Sequence, residues 1–117
     1  MRQEYLEHNI WLVSISGRLD QSLNLQLDQT LTELLETNHN HIIVDLNQTT
    51  YINSGGLRCL VSAWRKARQN EGNVWLCGLN DRLQEIFSMV GFDKVFQIYP
   101  TLVAARTAVA AQTEQER

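Results

Sequence analysis

The segment His41-Ile-Ile-Val-Asp-Leu46 constrains this chain more than any other. Ile42, Ile43, Val44 and Leu46 follow one another almost without a break, and a strand apolar on successive residues has to be covered on both faces. That is the pattern of a central, parallel strand between layers of helix. Upstream, Leu23, Leu27, Leu31, Leu34 and Leu35 recur at three- and four-residue steps with polar residues between them, which predicts an amphipathic helix over residues 23–38.

The rest of the chain keeps this alternation. Residues 10–16 (Ile-Trp-Leu-Val-Ser-Ile-Ser) are a β-branched and aromatic run that Gly17 is expected to stop, with residues 4–7 pairing back across His8-Asn9 as a hairpin. After a polar turn at residues 47–50 and a short extended Tyr51-Ile52, Ser54 precedes a helix whose buried stripe is Leu57, Leu60, Val61, Trp64 and Ala67, ended by Glu71-Gly72. A strand over residues 73–76 and a helix over residues 80–90, stopped by Gly91, come next. A strand over residues 95–98 and a helix over residues 102–111 behind Pro100-Thr101 complete the pattern. Residues 112–117 read as a polar, frayed tail. Strands alternating with helices in this way specify an α/β sandwich with right-handed crossovers, in one domain over residues 1–111.

Charge and composition narrow the function classes. Ten Lys and Arg against thirteen Asp and Glu leave a net charge of −3, which argues against nucleic acid as a partner. No apolar run approaches the length of a membrane span and the N-terminus lacks a signal-peptide core, so direct membrane insertion is not expected. Two cysteines, Cys59 and Cys77, make neither a disulfide framework nor a zinc spacing with His8, His39 and His41, and a reducing cytoplasm fits them. His39 and His41 would share a face if a strand began there, but lack a third ligand. No Gly-x-Ser-x-Gly elbow or phosphate loop is present. The expectation is a chain that is not an enzyme, with no catalytic residues, cofactor or metal, and with Trp11, Trp64 and Trp75 as packing residues. Asp45, in an otherwise apolar strand, must be hydrogen-bonded, either to the following turn or to the Ser54 loop.

The informative segment is Tyr51-Ile-Asn-Ser-Gly-Gly-Leu57, which sets a serine and two glycines between a strand and the first turn of a helix. Backbone N–H groups there lack internal partners and favour an anion on the serine oxygen. A common alternative is that Ser54 simply caps the helix. Glycine at two positions of a first turn normally reflects close approach, either of a neighbouring loop or of a partner reaching the hydroxyl.

Four segments together resemble the STAS domain, and most nearly the stand-alone bacterial anti-sigma-factor antagonists. They are Ile15-Ser-Gly-Arg-Leu-Asp20, Ile42-Ile-Val-Asp-Leu46, Tyr51-Ile-Asn-Ser-Gly-Gly-Leu57, and Gly72-Asn-Val-Trp-Leu-Cys-Gly-Leu79 with Leu83, Ile86, Phe87, Gly91 and Phe92 after it. The resemblance implies a STAS-like sandwich, a mixed sheet of four to five strands with about four helices. It also implies a cytoplasmic protein that binds an anti-sigma factor doubling as a serine kinase, is phosphorylated at Ser54 and let go, and is reset by a phosphatase. Asp20, Asn53, Ser54, Gly55, Gly56, Leu57 and Arg58 would form the partner-binding surface. Asn53 stands where the family usually has Asp, and Arg58 where it tends to have a small residue. Those two departures keep a second reading open, an interaction subunit of a transport or lipid-trafficking system that is not phosphorylated.

Overall fold

A computed structural model of the chain describes residues 1–115. Its sheet has five strands in sequence order: β1 (Arg2–Tyr5), β2 (Ile10–Leu19), β3 (His41–Ile52), β4 (Asn73–Cys77) and β5 (Ile98–Tyr99). β1 pairs antiparallel with β2 through the His8-Asn9 turn, and the other pairings are parallel. This is the mixed α/β sheet expected from the sequence. Helices α1 (Gln21–Glu36), α2 (Ser54–Gln69), α3 (Asp81–Met89) and α4 (Leu102–Gln115) connect and cover the strands.

Alternation along the strands sorts the side chains into two cores. Val13, Ile15, Ile42, Val44, Leu46, Val74 and Leu76 pack under α1, α2 and α3 with Leu27, Leu31, Leu60, Leu83 and Phe87. Ile10, Leu12, Ile43, Trp75 and Cys77 form the other face, with Ala105 and Val109 of α4. β3 contributes to both, which is why its sequence is apolar on successive residues.

Three boundaries differ from the sequence expectation. Gly17 does not end β2: at φ +91° it carries the strand through a bulged region, where the β2–β3 register shifts twice. For the same reason residues 47–50 are strand rather than turn. Thr49 is 1% exposed, and its hydroxyl donates to the Ile15 carbonyl at 2.9 Å, so a polar residue is buried with its hydrogen bond made. The strand expected at residues 95–98 shrinks to Ile98–Tyr99 behind a 3₁₀ turn at Phe92–Lys94. Phe96 leaves the ladder to pack edge-on against Phe87, Phe92 and Trp64, with centroids 6.2, 6.3 and 6.2 Å away.

The tail also departs from the reading. α4 continues to Gln115, and the Gln112 amide donates to Gln97 Oε1 and to the Tyr99 hydroxyl, each at 3.3 Å. Glu116 and Arg117, the end of the expected tail, lie outside the described residues. Among the described residues no helix is long and apolar enough to cross a membrane.

Candidate functional site

Leu19 and Ile52 are register partners at the carboxyl ends of β2 and β3. The chain leaves both strands side by side, and the Asn53 N–H donates to the Leu19 carbonyl at 3.2 Å. Two loop-to-helix transitions therefore lie against each other, Asp20 at the head of α1 and Asn53 at the head of α2.

Asn53, not Ser54, caps α2. Its backbone is extended and its Oδ1 accepts from the Gly56 N–H at 3.0 Å, the geometry that satisfies one of the helix's unpaired donors. The capping alternative for Ser54 is thereby corrected. Ser54 is the first residue inside the helix, exposed, and its hydroxyl has no hydrogen bond from any described residue. With no base bonded to it, this hydroxyl is not an activated nucleophile of its own domain. It lies open at the surface, at the head of the helix.

The two glycines are explained from inside. A Cβ on Gly56 would stand 2.8 Å from Ile52 Cγ1 and 3.0 Å from both Leu19 Cδ2 and Asn24 Oδ1. One on Gly55 would stand 2.8 Å from Asn24 Nδ2. Close approach is real, and α1 and the strand ends make it.

Asn24 was missed at the sequence level. Its amide donates to Asn53 Oδ1 at 2.8 Å. Turned about, it would instead donate to the Leu19 carbonyl and accept from the Gly56 N–H, each at 3.3 Å. In either orientation it joins α1 to the start of α2. The available signal was a polar residue four positions after Asp20, on the same helical face as Leu27 and Leu31.

Asp20 sits on the adjoining loop with its carboxylate on Arg18, Nε to Oδ2 at 3.3 Å, and makes no side-chain cap on α1. Arg18 in turn lies 4.2 Å above the Tyr51 ring. Leu57 is buried at the edge of the core, and Arg58 is exposed on the same side of α2 as Ser54. Ser54, Leu57 and Arg58 line a shallow groove of about 300 Å³ with Val61, Val90 and Phe92. From the α3 side Val90, 49% exposed, and Phe92 keep it apolar. The structure thus brings Asn53, Ser54, Leu57 and Arg58 to one surface. Gly55 and Gly56 form its backing, and Asp20 borders it.

The other sequence candidates fall elsewhere. Asp45 Oδ1 accepts from the Asn47 N–H at 3.0 Å, the following-segment alternative rather than the Ser54 loop. His39 packs on Trp11 and His41 on Trp75, rings belonging to opposite faces of the sheet, so they do not share a face. Cys59 and Cys77 are free thiols. Burial and then the Asp28 carboxylate raise Cys59, with Arg58 acting in the opposite sense. Burial, and then the facing Asp45 carboxylate, push Cys77 up to about 12. Neither is an activated thiol.

The STAS domain family's sequence pattern matches residues 5–105. BtrV of Bordetella bronchiseptica, named as a candidate anti-sigma factor antagonist, is 27% identical over 97 residues, covering 83% of this chain and 84% of its own. The anti-sigma-B factor antagonist of Staphylococcus aureus is 26% identical over 86 residues, 74% of this chain and 80% of its own. Among solved structures, an anti-sigma factor antagonist from Mycobacterium paratuberculosis superposes with a TM-score of 0.84 at 26% identity, over 93% of this chain and 92% of that one. The fold is also that of the anti-sigma factor antagonist SpoIIAA. Its unphosphorylated form gives a TM-score of 0.74 at 12% identity, over 95% and 96% of the two chains. Its phosphorylated form, from Bacillus, gives 0.77 at 16%, over 92% and 97%. With the family pattern running through residues 5–105, most of its length, this chain belongs to the STAS domain family.

Proposed function

We propose that this protein is a cytoplasmic anti-sigma-factor antagonist. It binds an anti-sigma factor with serine kinase activity through the exposed face of α2, and phosphorylation of Ser54 ends the complex until a phosphatase restores it. The observation that carries this reading is the exposed Ser54 hydroxyl, unbonded to any described residue, at the head of α2 and at the mouth of an apolar groove. The names of the relatives, and the existence of SpoIIAA in both phosphorylated and unphosphorylated forms, support it. A phosphate there adds about −1.5 to −2 charges beside Leu57, Val61, Val90 and Phe92, an apolar surface that a partner would desolvate. Burying that charge weakens the complex while the helix start tolerates it.

The test is to incubate the protein with ATP and each anti-sigma-type kinase of its own organism, map the phosphate by mass spectrometry, and repeat with Ser54→Ala. Labelling at Ser54, abolished by the substitution, is expected. Labelling elsewhere, or none with every such kinase, overturns the switch. Asn53, a neutral cap beside the acceptor, favours the second reading of a transport or lipid-trafficking subunit that is not phosphorylated. Capture of a transporter equally by wild-type and Ser54→Asp protein would decide for it.

A further inference from the structure

We propose that Arg58 is the built-in counter-ion of a phosphate on Ser54. The inference deepens the reading above, on which its biological use rests, but its chemistry stands on the groove itself. Ser54 and Arg58 are four residues apart on one helix, which puts their Cβ atoms about 5–6 Å apart on one face, and both line the same groove. The other lining residues, Leu57, Val61, Val90 and Phe92, are apolar. The groove therefore holds one charge, a cation, and no anion among the described residues.

Three other arginines have ion-pair partners: Arg2 pairs with Glu4 at 3.4 Å, Arg18 with Asp20 at 3.3 Å and Arg106 with Glu7 at 3.7 Å, whereas Arg65, Arg68 and Arg82 have none among the described residues and do not line this groove. Arg58 has no ion pair or hydrogen bond among the described residues. Asp20, from the α1 loop, is held by Arg18, and Asp28, on α1, acts with Arg58 in opposite senses on the Cys59 thiol between them. From the α3 side, Val90 and Phe92 bring no charge.

A phosphoserine supplies three strong acceptor oxygens, and a guanidinium takes two of them with parallel N–H donors. Apolar walls screen that pair less than open water does. The phosphate is drawn back along α2 over the groove mouth instead of standing into solvent. Phosphorylation then acts in two ways at once, by adding charge and by covering Leu57 and Val61 with a salt bridge.

Phosphoserine placed at position 54 by genetic encoding, without any kinase, tests this by a ³¹P NMR titration. In the wild-type background the second phosphate pKa should fall below its ordinary value of about 6 by about half a unit. In Arg58→Gln it should rise back toward that value, and Arg58→Lys, which keeps the charge without the fork, should lie between wild type and Arg58→Gln. The same titration midpoint in wild type and Arg58→Gln overturns the proposal. Because the phosphoserine is installed without a kinase, that result leaves the kinase reading untouched, and a failure of every kinase to label Ser54 leaves this measurement standing.

Discussion

The side-chain amides of Asn24 on α1 and Asn53 at the head of α2 meet at 2.8 Å across 29 residues of sequence. Asn53 also accepts from the Gly56 N–H, so the turn that carries Ser54 is held by two helices and not by its own residues alone. Coupling of this kind is measurable.

Asn53→Ala should lower the folding free energy by about 1 kcal/mol, the ordinary worth of a helix cap. Asn24→Ala should lower it by a similar amount, and the double variant by less than the sum, with a coupling of about 0.5–1.5 kcal/mol in urea denaturation. Strict additivity would mean that the two amides act independently. Asn53→Asp should keep the midpoint or raise it at pH 7, since a carboxylate accepts the same two donors and suits a helix N-terminus.

Gly56→Ala sets helix propensity against packing. Alanine is favoured over glycine inside a helix by up to about 1 kcal/mol, but its methyl would stand 2.8 Å from Ile52 and 3.0 Å from Leu19. Those are core side chains 2% and 0% exposed, with little room to yield. Packing should win, with a net loss of about 1–3 kcal/mol in thermal or chemical unfolding. A neutral or stabilising result would show that the strand ends give way.

Cys77 gives a pH signature. Its thiol, raised to about 12 by burial and then by the Asp45 carboxylate, binds its proton more tightly folded than unfolded, where 9.0 is the ordinary value. Its contribution to stability is therefore complete below pH 9 and is lost as pH rises toward 12. Unfolding midpoints of the wild type should fall more steeply between pH 9 and 11 than those of Cys77→Ala, and Asp45→Asn should make the fall shallower. Parallel curves for all three would refute the assignment. At pH 8 a maleimide should leave Cys77 unmodified in the native protein.

Much of the fold was legible because periodicity is a local property. The unbroken Ile42-Ile43-Val44 run announced a strand covered on both sides, the leucines of α1 announced their buried stripe, and Tyr51-Ile-Asn-Ser-Gly-Gly-Leu57 announced a helix start at Ser54. What the sequence could not assign was which of two adjacent polar side chains, Asn53 or Ser54, takes the cap. Both are good caps by type. The choice follows from where β3 ends against Leu19, which leaves Asn53 extended and within reach of Gly56 and Asn24 while Ser54 turns outward.

Residues 47–50 follow the same rule. Their polarity predicts a turn, yet Thr49 is buried in a strand because the Ile15 carbonyl, 34 residues earlier, accepts a hydrogen bond from its hydroxyl. The sequence by itself determined the order and kind of elements, and the position of the serine at a helix head. The tertiary structure alone decided the bulged strand, the cap, the close approach at Gly55 and Gly56, and the apolar residues that complete the groove around Ser54 and Arg58. Each of these depends on groups far apart in the chain, and local preference carries no information about which of them will meet.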